Sequence, residues 1–412
     1  MKLAATIATV LCLAIVHVPW GTNPLAQAPF EAPPVLKAKD LAPKALLNGP
    51  GYRVADNVPT TGLLGDFRLE ADGGTFEVRG LDLLRIRIAE LPAIQQLEKT
   101  SKTAEFAKAA GRAAVRPVES AANMLTHPVD TVTGAPAGVG RFFERVKAGG
   151  ESIAKESSTP AAAGRIGTVT INTLGFEEER RRLAKKLSVD PYTTNPVLSK
   201  KLTEVAWVTF SARQAVNITT AAVVPYAMGM STVSLTNNLI WDVKPADLIA
   251  MNAKKLKAMG ASDAQASALI DNPYYSISLL TSFVSSLERL DGVAGRPEAI
   301  ALAATVVGED QARFLAGCVQ MLAHHHQWVA PLGQIMARVT VVGKTVAGGL
   351  VVGAPVDYVA WTERVANFAR RSDLTAGSLD LWLTGRMSPQ ARQEFERIGW
   401  RVHEGSPTAS AN

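Results

Sequence analysis

The sequence predicts an α+β protein that is mostly α-helical. Three observations predict this class: alternating polar and apolar residues near residue 70, helical periodicity after residue 81, and β-branched, glycine-flanked runs near the C-terminus. We therefore expect an N-terminal β-hairpin with helices, a central helical block and a small C-terminal β-α-β unit.

The first 28 residues have the pattern of a secretory signal. Lys2 precedes an uncharged apolar run over residues 3–18, and Ala26–Ala28 supplies small residues of the kind that a signal peptidase accepts. The pattern predicts a signal peptide, residues 1–28, that is cleaved after Ala28. We therefore expect an exported protein that works in the periplasm or outside the cell.

Charge and cysteine content limit the classes of function. The leader contains Lys2 and no acid, so the mature chain has a net charge of +5, one less than the +6 of the whole chain. Its charge clusters mix both signs, which disfavours a nucleic-acid partner. Cys12 lies in the leader and Cys318 is the one other cysteine. The mature chain therefore forms no internal disulfide and depends on a large buried core.

Residues 29–50 contain several prolines without periodicity and are expected to form an extended arm. The next region, 51–155, is expected to hold the β-hairpin and helices. Apolar residues alternate with polar ones on both sides of a turn at Asp72-Gly73-Gly74, and the period becomes helical from Leu81. The hairpin strands are marked by Phe67, Leu69, Ala71, Phe76 and Val78, with Tyr52 and Val54 as a third strand.

Prolines and small polar residues predict the later boundaries. Pro92 and Pro117 are expected to interrupt the helices after Leu81, and residues 156–165 have the composition of a linker. Residues 166–330 are then expected to form a helical domain, in which Ser262 is the N-cap of one helix.

The region 331–404 is expected to be a small α/β unit. Its predicted elements are strands at 339–342 and 346–352, a helix at 358–371, a strand at 379–383, a helix at 391–398 and a strand at 400–403. Residues 405–412 are small and polar and are expected to be a disordered tail.

Asp357 and Glu363 are the candidate catalytic residues. The two carboxylates flank Tyr358 and Trp361, and a pair of acids beside aromatic rings is typical of hydrolytic or glycan-active sites. A structural interpretation competes with this one: Asp357 caps the following helix while the two rings pack in the core.

Cys318 and His325 are the candidate metal-ligating pair. They are seven residues apart and share a helix face, which permits a thiolate pair or half of a metal site. Consecutive helical residues point about 100° apart, so His324, His325 and His326 cannot all bind one ion. Buried or solvated histidines explain the pattern without a metal, and the sequence predicts no cofactor.

Residues 214–241 form a stretch of 28 residues without a charge. That length could span a bilayer, but Asn217, Pro225 and Asn237 are costly in hydrocarbon. A buried pair of helices explains the segment with less strain, and contact with a membrane is the competing hypothesis.

The chain resembles a group of uncharacterised exported proteobacterial proteins with no known activity. The segments that carry the resemblance are Asp190–Leu198, Pro355–Glu363 and Trp382–Pro389. The resemblance implies an envelope protein and assigns no functional residue.

These patterns favour a non-enzymatic interaction or structural protein of the periplasm or cell envelope. Its expected partner is an envelope protein or polymer, with peripheral membrane contact as a further mode of binding. Two alternatives stay open: a hydrolase with an acidic site near Asp357 and Glu363, and a membrane-associating protein that uses residues 214–241.

Overall fold

The computed structural model describes residues 30–114, 175–212 and 237–406. Strands come first in this part of the chain, helices follow, and a second sheet lies near the C-terminus. The predicted class, α+β and mostly helical, is confirmed. Several predictions fall outside the described residues: the signal peptide, the interruption at Pro117, the linker at 156–165, most of 214–241 and the tail from 407.

The N-terminal region contains an antiparallel sheet and a separate strand pair. Its strands are β1 (Val35–Lys37), β2 (Asn48–Gly49), β3 (Tyr52–Val54), β4 (Asn57–Pro59), β5 (Asp66–Ala71) and β6 (Gly74–Arg79). The sheet order is β2-β3-β5-β6, and β1 pairs with β4. The predicted hairpin is confirmed, since Phe67 faces Val78 and Leu69 faces Phe76. Phe67 and Leu69 are fully buried.

The segment expected to be an extended arm folds into regular structure. Besides β1 and β2 it contains helices α1 (Ala38–Leu41) and α2 (Lys44–Leu47). Ala38 and Leu46 are buried and anchor these short elements, which explains the difference. The prolines of this segment favoured the expectation of an irregular chain. Glu31 connects this segment to the C-terminal region, because its backbone N–H donates a hydrogen bond to the Trp361 carbonyl at 2.9 Å.

The central helices match the predicted helical block. They are α3 (Leu81–Ser101), α4 (Ala104–Ala114), α5 (175–186), α6 (Pro196–Ala212), α7 (Asn237–Asp242), α8 (Pro245–Ala258), α9 (Asp263–Ile270), α10 (Ile277–Glu288), α11 (Arg296–Ala304) and α12 (Glu309–Trp328). The Ser262 cap is confirmed by its capping box with Gln265. The expected interruption at Pro92 is wrong, because α3 continues through it. None of the helices in the described ranges is long and apolar enough to cross a membrane.

The buried cores do not follow the expected domain boundary at 156–165. Helices α5 and α6, expected in a separate helical domain, share one core with α3 and the N-terminal sheet. Helices α8 to α12 form a second core that reaches the C-terminal strands through Leu332 and Val351. The N-terminal unit is therefore built from two separated stretches of chain.

The C-terminal sheet is larger than the predicted β-α-β unit. Its strands are β7 (Leu332–Ala337), β8 (Val341–Thr345), β9 (Leu350–Ala354), β11 (Leu379–Leu383) and β13 (Trp400–His403), in the order β13-β11-β9-β8-β7. Strands β7 to β9 are antiparallel, and β9, β11 and β13 are parallel. A separate pair joins β10 (Tyr358–Val359) to β12 (Arg386–Met387).

Two expected strands and one expected helix lie differently in the structure. The runs at 339–342 and 346–352 both begin in turns, so Val339 and Val346 are exposed loop residues and not strand residues. Gly348, at a φ of 93°, makes the second turn in a conformation that β-branched residues avoid. The helix expected at 358–371 begins later, as α13 (Glu363–Ala369), after the strand β10.

Helices cover both faces of this sheet. Helix α12 packs on β8 and β9, where Gly353 lets Met321 and Cys318 approach the strand closely. Helices α13 and α14 (Pro389–Arg397) contribute Val365 and Phe395 to the core on the opposite face.

Candidate functional site

Asp357 lies where the N-terminal and C-terminal units meet. Its Oδ2 accepts hydrogen bonds from the backbone N–H of Gly65 at 2.8 Å and of Leu81 at 3.1 Å. Leu81 is the first residue of α3, so Asp357 binds the N-terminus of a distant helix. The helix that follows Asp357 is capped by Thr362 instead, whose Oγ1 accepts from the Val365 N–H. Asp357 therefore caps a helix, as the structural interpretation expected. The helix is α3, however, and not the one that follows Asp357 in the sequence.

The environment of Asp357 disfavours its charged form. Burial raises the pKa of this carboxyl to about 6, although the N–H groups of Gly65 and Leu81 oppose the shift. The nearby Asp82 carboxylate raises the pKa further, and Arg85 lowers it. Asp357 can therefore gain or lose a proton near neutral pH.

The structure brings Asp357 together with Asp82 and not with Glu363. Glu363 is exposed in the first turn of α13 and has no polar contact with Asp357 in the described part of the chain. Asp82 is partly buried in the first turn of α3, where burial raises the pKa of its carboxyl and Arg313 and Arg85 oppose the shift. Sequence reasoning missed Asp82, because 275 positions separate it from Asp357.

Glu90 is the centre of a buried polar cluster beside this junction. Its carboxylate accepts from Arg87 at 3.0 Å, from Asn195 at 2.7 Å and from the Thr193 hydroxyl. The side chains of Arg87 and Glu90 are 9% and 4% exposed. The 190–196 loop, which leads into α6, thus binds α3 through a charged group.

Thr194 links this cluster to α12. Its hydroxyl accepts from Arg87 at 2.8 Å and donates to Glu309 at 2.8 Å. Arg313 donates to the same Glu309 oxygen at 2.8 Å, one turn along the helix. Burial opposes ionisation of Glu309, but Arg313 and Thr194 outweigh it and lower the pKa of its carboxyl. The polar cluster therefore joins α3, the 190–196 loop and α12.

Cys318 and His325 lie on α12 but contact different groups. Cys318 is fully buried, and its Sγ accepts a hydrogen bond from the Thr340 hydroxyl at 3.3 Å. His325 packs edge-on against Trp382, with ring centroids 5.6 Å apart. Within residues 30–114, 175–212 and 237–406, no three His, Cys, Asp or Glu residues are grouped so that they could hold a metal ion.

Cys318 is expected to resist alkylation in the folded protein. Burial raises the pKa of its thiol to about 12, so the reactive thiolate is scarce at pH 8. Iodoacetamide at pH 8, followed by mass spectrometry of the Cys318 peptide, should show labelling after denaturation and almost none before it. Rapid labelling of the native protein would contradict the buried position and restore the thiolate hypothesis.

A second polar group lies on one face of β11 and β13. His403 Nε2 lies 3.0 Å from Asp380, and Arg401 donates to the other carboxylate oxygen at 2.5 Å. The His403 ring stacks on Trp382, with centroids 4.2 Å apart. Burial opposes ionisation of Asp380, but the bonds from Arg401 and His403 outweigh it and lower the pKa. The carboxylate is thus engaged by two partners of the adjacent strand.

An apolar tip lies at one end of the C-terminal sheet. We give this name to Trp328, Val329 and Val346, which are 67%, 49% and 71% exposed. Trp328 ends α12 and Val329 follows it, while Val346 lies in the β8–β9 turn and donates its N–H to the Pro331 carbonyl at 3.0 Å. Large apolar side chains gathered at one place on a surface mark interaction sites more often than single ones do. One feature of the sequence indicates the tip: Trp328 directly follows the polar run 324–327.

Comparison with models of known families, with curated proteins and with solved structures gave no match. The resemblance to exported proteobacterial proteins therefore stays a prediction.

Proposed function

We propose that this protein is an exported interaction protein of the bacterial cell envelope and binds its partner through the apolar tip. The observation that carries the proposal is the exposure of Trp328, Val329 and Val346 at the end of a well-packed sheet. Tryptophan is enriched among the residues that dominate binding energy at interfaces. A rigid support also lowers the entropy lost on binding.

The positions of the reactive side chains support binding over catalysis. Asp357 accepts hydrogen bonds from two backbone N–H groups, Glu90 is enclosed by three donors, and the Cys318 thiol is buried. Each of these groups holds parts of the fold together. A catalytic group must instead reach its substrate.

The hydrolase alternative now depends on Asp82. Two nearby carboxyls with raised pKa values can supply a general acid, and Asp82 is the more accessible member of the pair with Asp357. Glu363, the second candidate catalytic residue, is exposed to solvent and does not share the buried environment of Asp357. If the protein is a hydrolase, Asp82→Asn abolishes the activity and Glu363→Gln leaves it intact.

Cell fractionation combined with site-specific photo-crosslinking tests the interaction proposal. A photoreactive amino acid replaces Val346 in one strain and Val339 in another. Val339 is the matched control, because it is 59% exposed and lies in the turn at the opposite end of β8. We expect leaderless protein in the envelope fraction and crosslinked products from position 346 only. Equal crosslinking from both positions, or full-length protein in the cytoplasm, would refute the proposal.

A further inference from the structure

We propose that the apolar tip docks on an anionic lipid surface. The inference rests on the proposed function, since it names the envelope component that the tip contacts. Two independent features of the tip support it: the kind of apolar side chains that it exposes, and the charges around it.

The apolar side chains fit a membrane interface. Tryptophan has an apolar body and one polar N–H, so it is favoured where hydrocarbon meets headgroups. Val329 and Val346 add apolar surface beside Trp328 without a hydrogen-bonding group. These residues are on a helix end and a turn, so they can enter the headgroup region while the strands stay in water.

The charges near the tip are unbalanced and positive. Residues 311–356, which contain all of the tip, include no acid. Lys344 is exposed two residues before Val346, and in the structurally described ranges it forms no ion pair. Arg289 lies beside the tip, where it donates to the neutral Gln327. The two acids next to Arg289 in the sequence are both paired with other cations, Glu288 with Lys255 at 2.7 Å and Asp291 with Arg296 at 3.4 Å.

The other cations of this segment are neutralised within the fold. Arg313 pairs with Glu309 at 2.8 Å, and Arg338 pairs with Asp373 at 3.1 Å. Of the three lysine and arginine residues at 311–356, Lys344 alone is thus unpaired in the described ranges, and it lies at the tip. An anionic headgroup layer complements this arrangement, because each basic residue near such a surface adds to binding.

The tip is held in place before any contact is made. The N–H of Leu332 donates to His326 Nδ1 at 2.9 Å, and the N–H groups of Val329 and Ala330 both donate to the His325 carbonyl. These bonds fix the chain between α12 and β7. Little conformational entropy is then lost when the tip meets a surface.

Cosedimentation of the full mature protein with lipid vesicles tests the proposal. The vesicles contain phosphatidylcholine with or without one third phosphatidylglycerol. We expect binding to the anionic vesicles that weakens with added salt, and binding to the neutral vesicles that is at least about ten-fold weaker. Trp328→Ser and Val346→Asp should each lower binding to anionic vesicles about ten-fold. Val339→Asp, the control at the opposite turn, should change it less than about two-fold.

Three outcomes would overturn the proposal: binding to neither vesicle, equal binding to both, or equal loss with Val339→Asp. Thermal unfolding of each variant shows whether a loss reflects misfolding. If position 346 crosslinks to an envelope protein and the protein does not bind vesicles, the interaction function is supported and the lipid surface is ruled out as its partner. Failure of both experiments would remove the proposed function as well.

Discussion

Glu90→Ala is expected to lower the free energy of unfolding by about 3–5 kcal/mol, the largest loss that we predict for a single substitution. The change leaves the Arg87 guanidinium buried without its carboxylate and removes the acceptor of Thr193 and Asn195. A buried charge without a partner costs far more than the hydrogen bonds themselves. Urea unfolding followed by circular dichroism measures the difference.

Glu98→Ala is the matched control, because Glu98 lies two turns further along the same helix. Its side chain is 38% exposed and pairs with Lys102 at 2.8 Å, so its removal should cost far less stability than the change at position 90. Should Glu90→Ala prevent folding, Glu90→Gln retains an acceptor and should still lose more stability than the control. Equal losses at positions 90 and 98 would show that the polar cluster does not hold α3 to the loop.

Local patterns predicted the elements that depend on local chemistry. The hairpin at 66–79 and the Ser262 cap follow from alternation and capping, which act over a few residues. The same reasoning wrongly placed Val339 and Val346 in strands, because β-branched residues can also lie in exposed turns. Gly348, with its positive φ, makes the turn at Val346 possible. Only the folded chain shows which of the two environments applies.

The groups at the junction could not be paired from the sequence. The sequence singles out Asp357 as a candidate catalytic residue, but its contacts with Gly65 and Leu81 join residues that are 292 and 276 positions apart. Nothing local in the sequence specifies such pairs. Proximity in sequence favoured Glu363 as its partner, whereas the three-dimensional fold places Asp82 near it.

Asp357 is expected to make the folded protein less stable as the pH rises from about 4 to 6. Its pKa is about 6 in the folded chain, against an ordinary value of 3.8. Between about pH 4 and pH 6 the unfolded chain has lost this proton while the folded chain still holds it. The stabilisation that the protonated Asp357 carboxyl gives the folded chain is therefore complete below about pH 4 and lost above about pH 6. The gap corresponds to about 3 kcal/mol. Urea unfolding of the wild type and of Asp357→Asn at several pH values measures it.

Asp357→Asn should remove this decline, because the amide does not ionise and its oxygen can still accept from Gly65 or Leu81. The variant should therefore gain stability relative to the wild type as the pH rises, by up to about 3 kcal/mol at pH 7. Comparing two chains is necessary because carboxylates with lowered pKa values, such as Glu309 and Asp380, lose stabilisation as the pH falls and act in the opposite direction. Glu363→Gln, a change at an exposed carboxylate, controls for the loss of one negative charge. A parallel pH dependence in wild type and Asp357→Asn would mean that the junction is open to water and that Asp357 does not hold the two units together as a buried group.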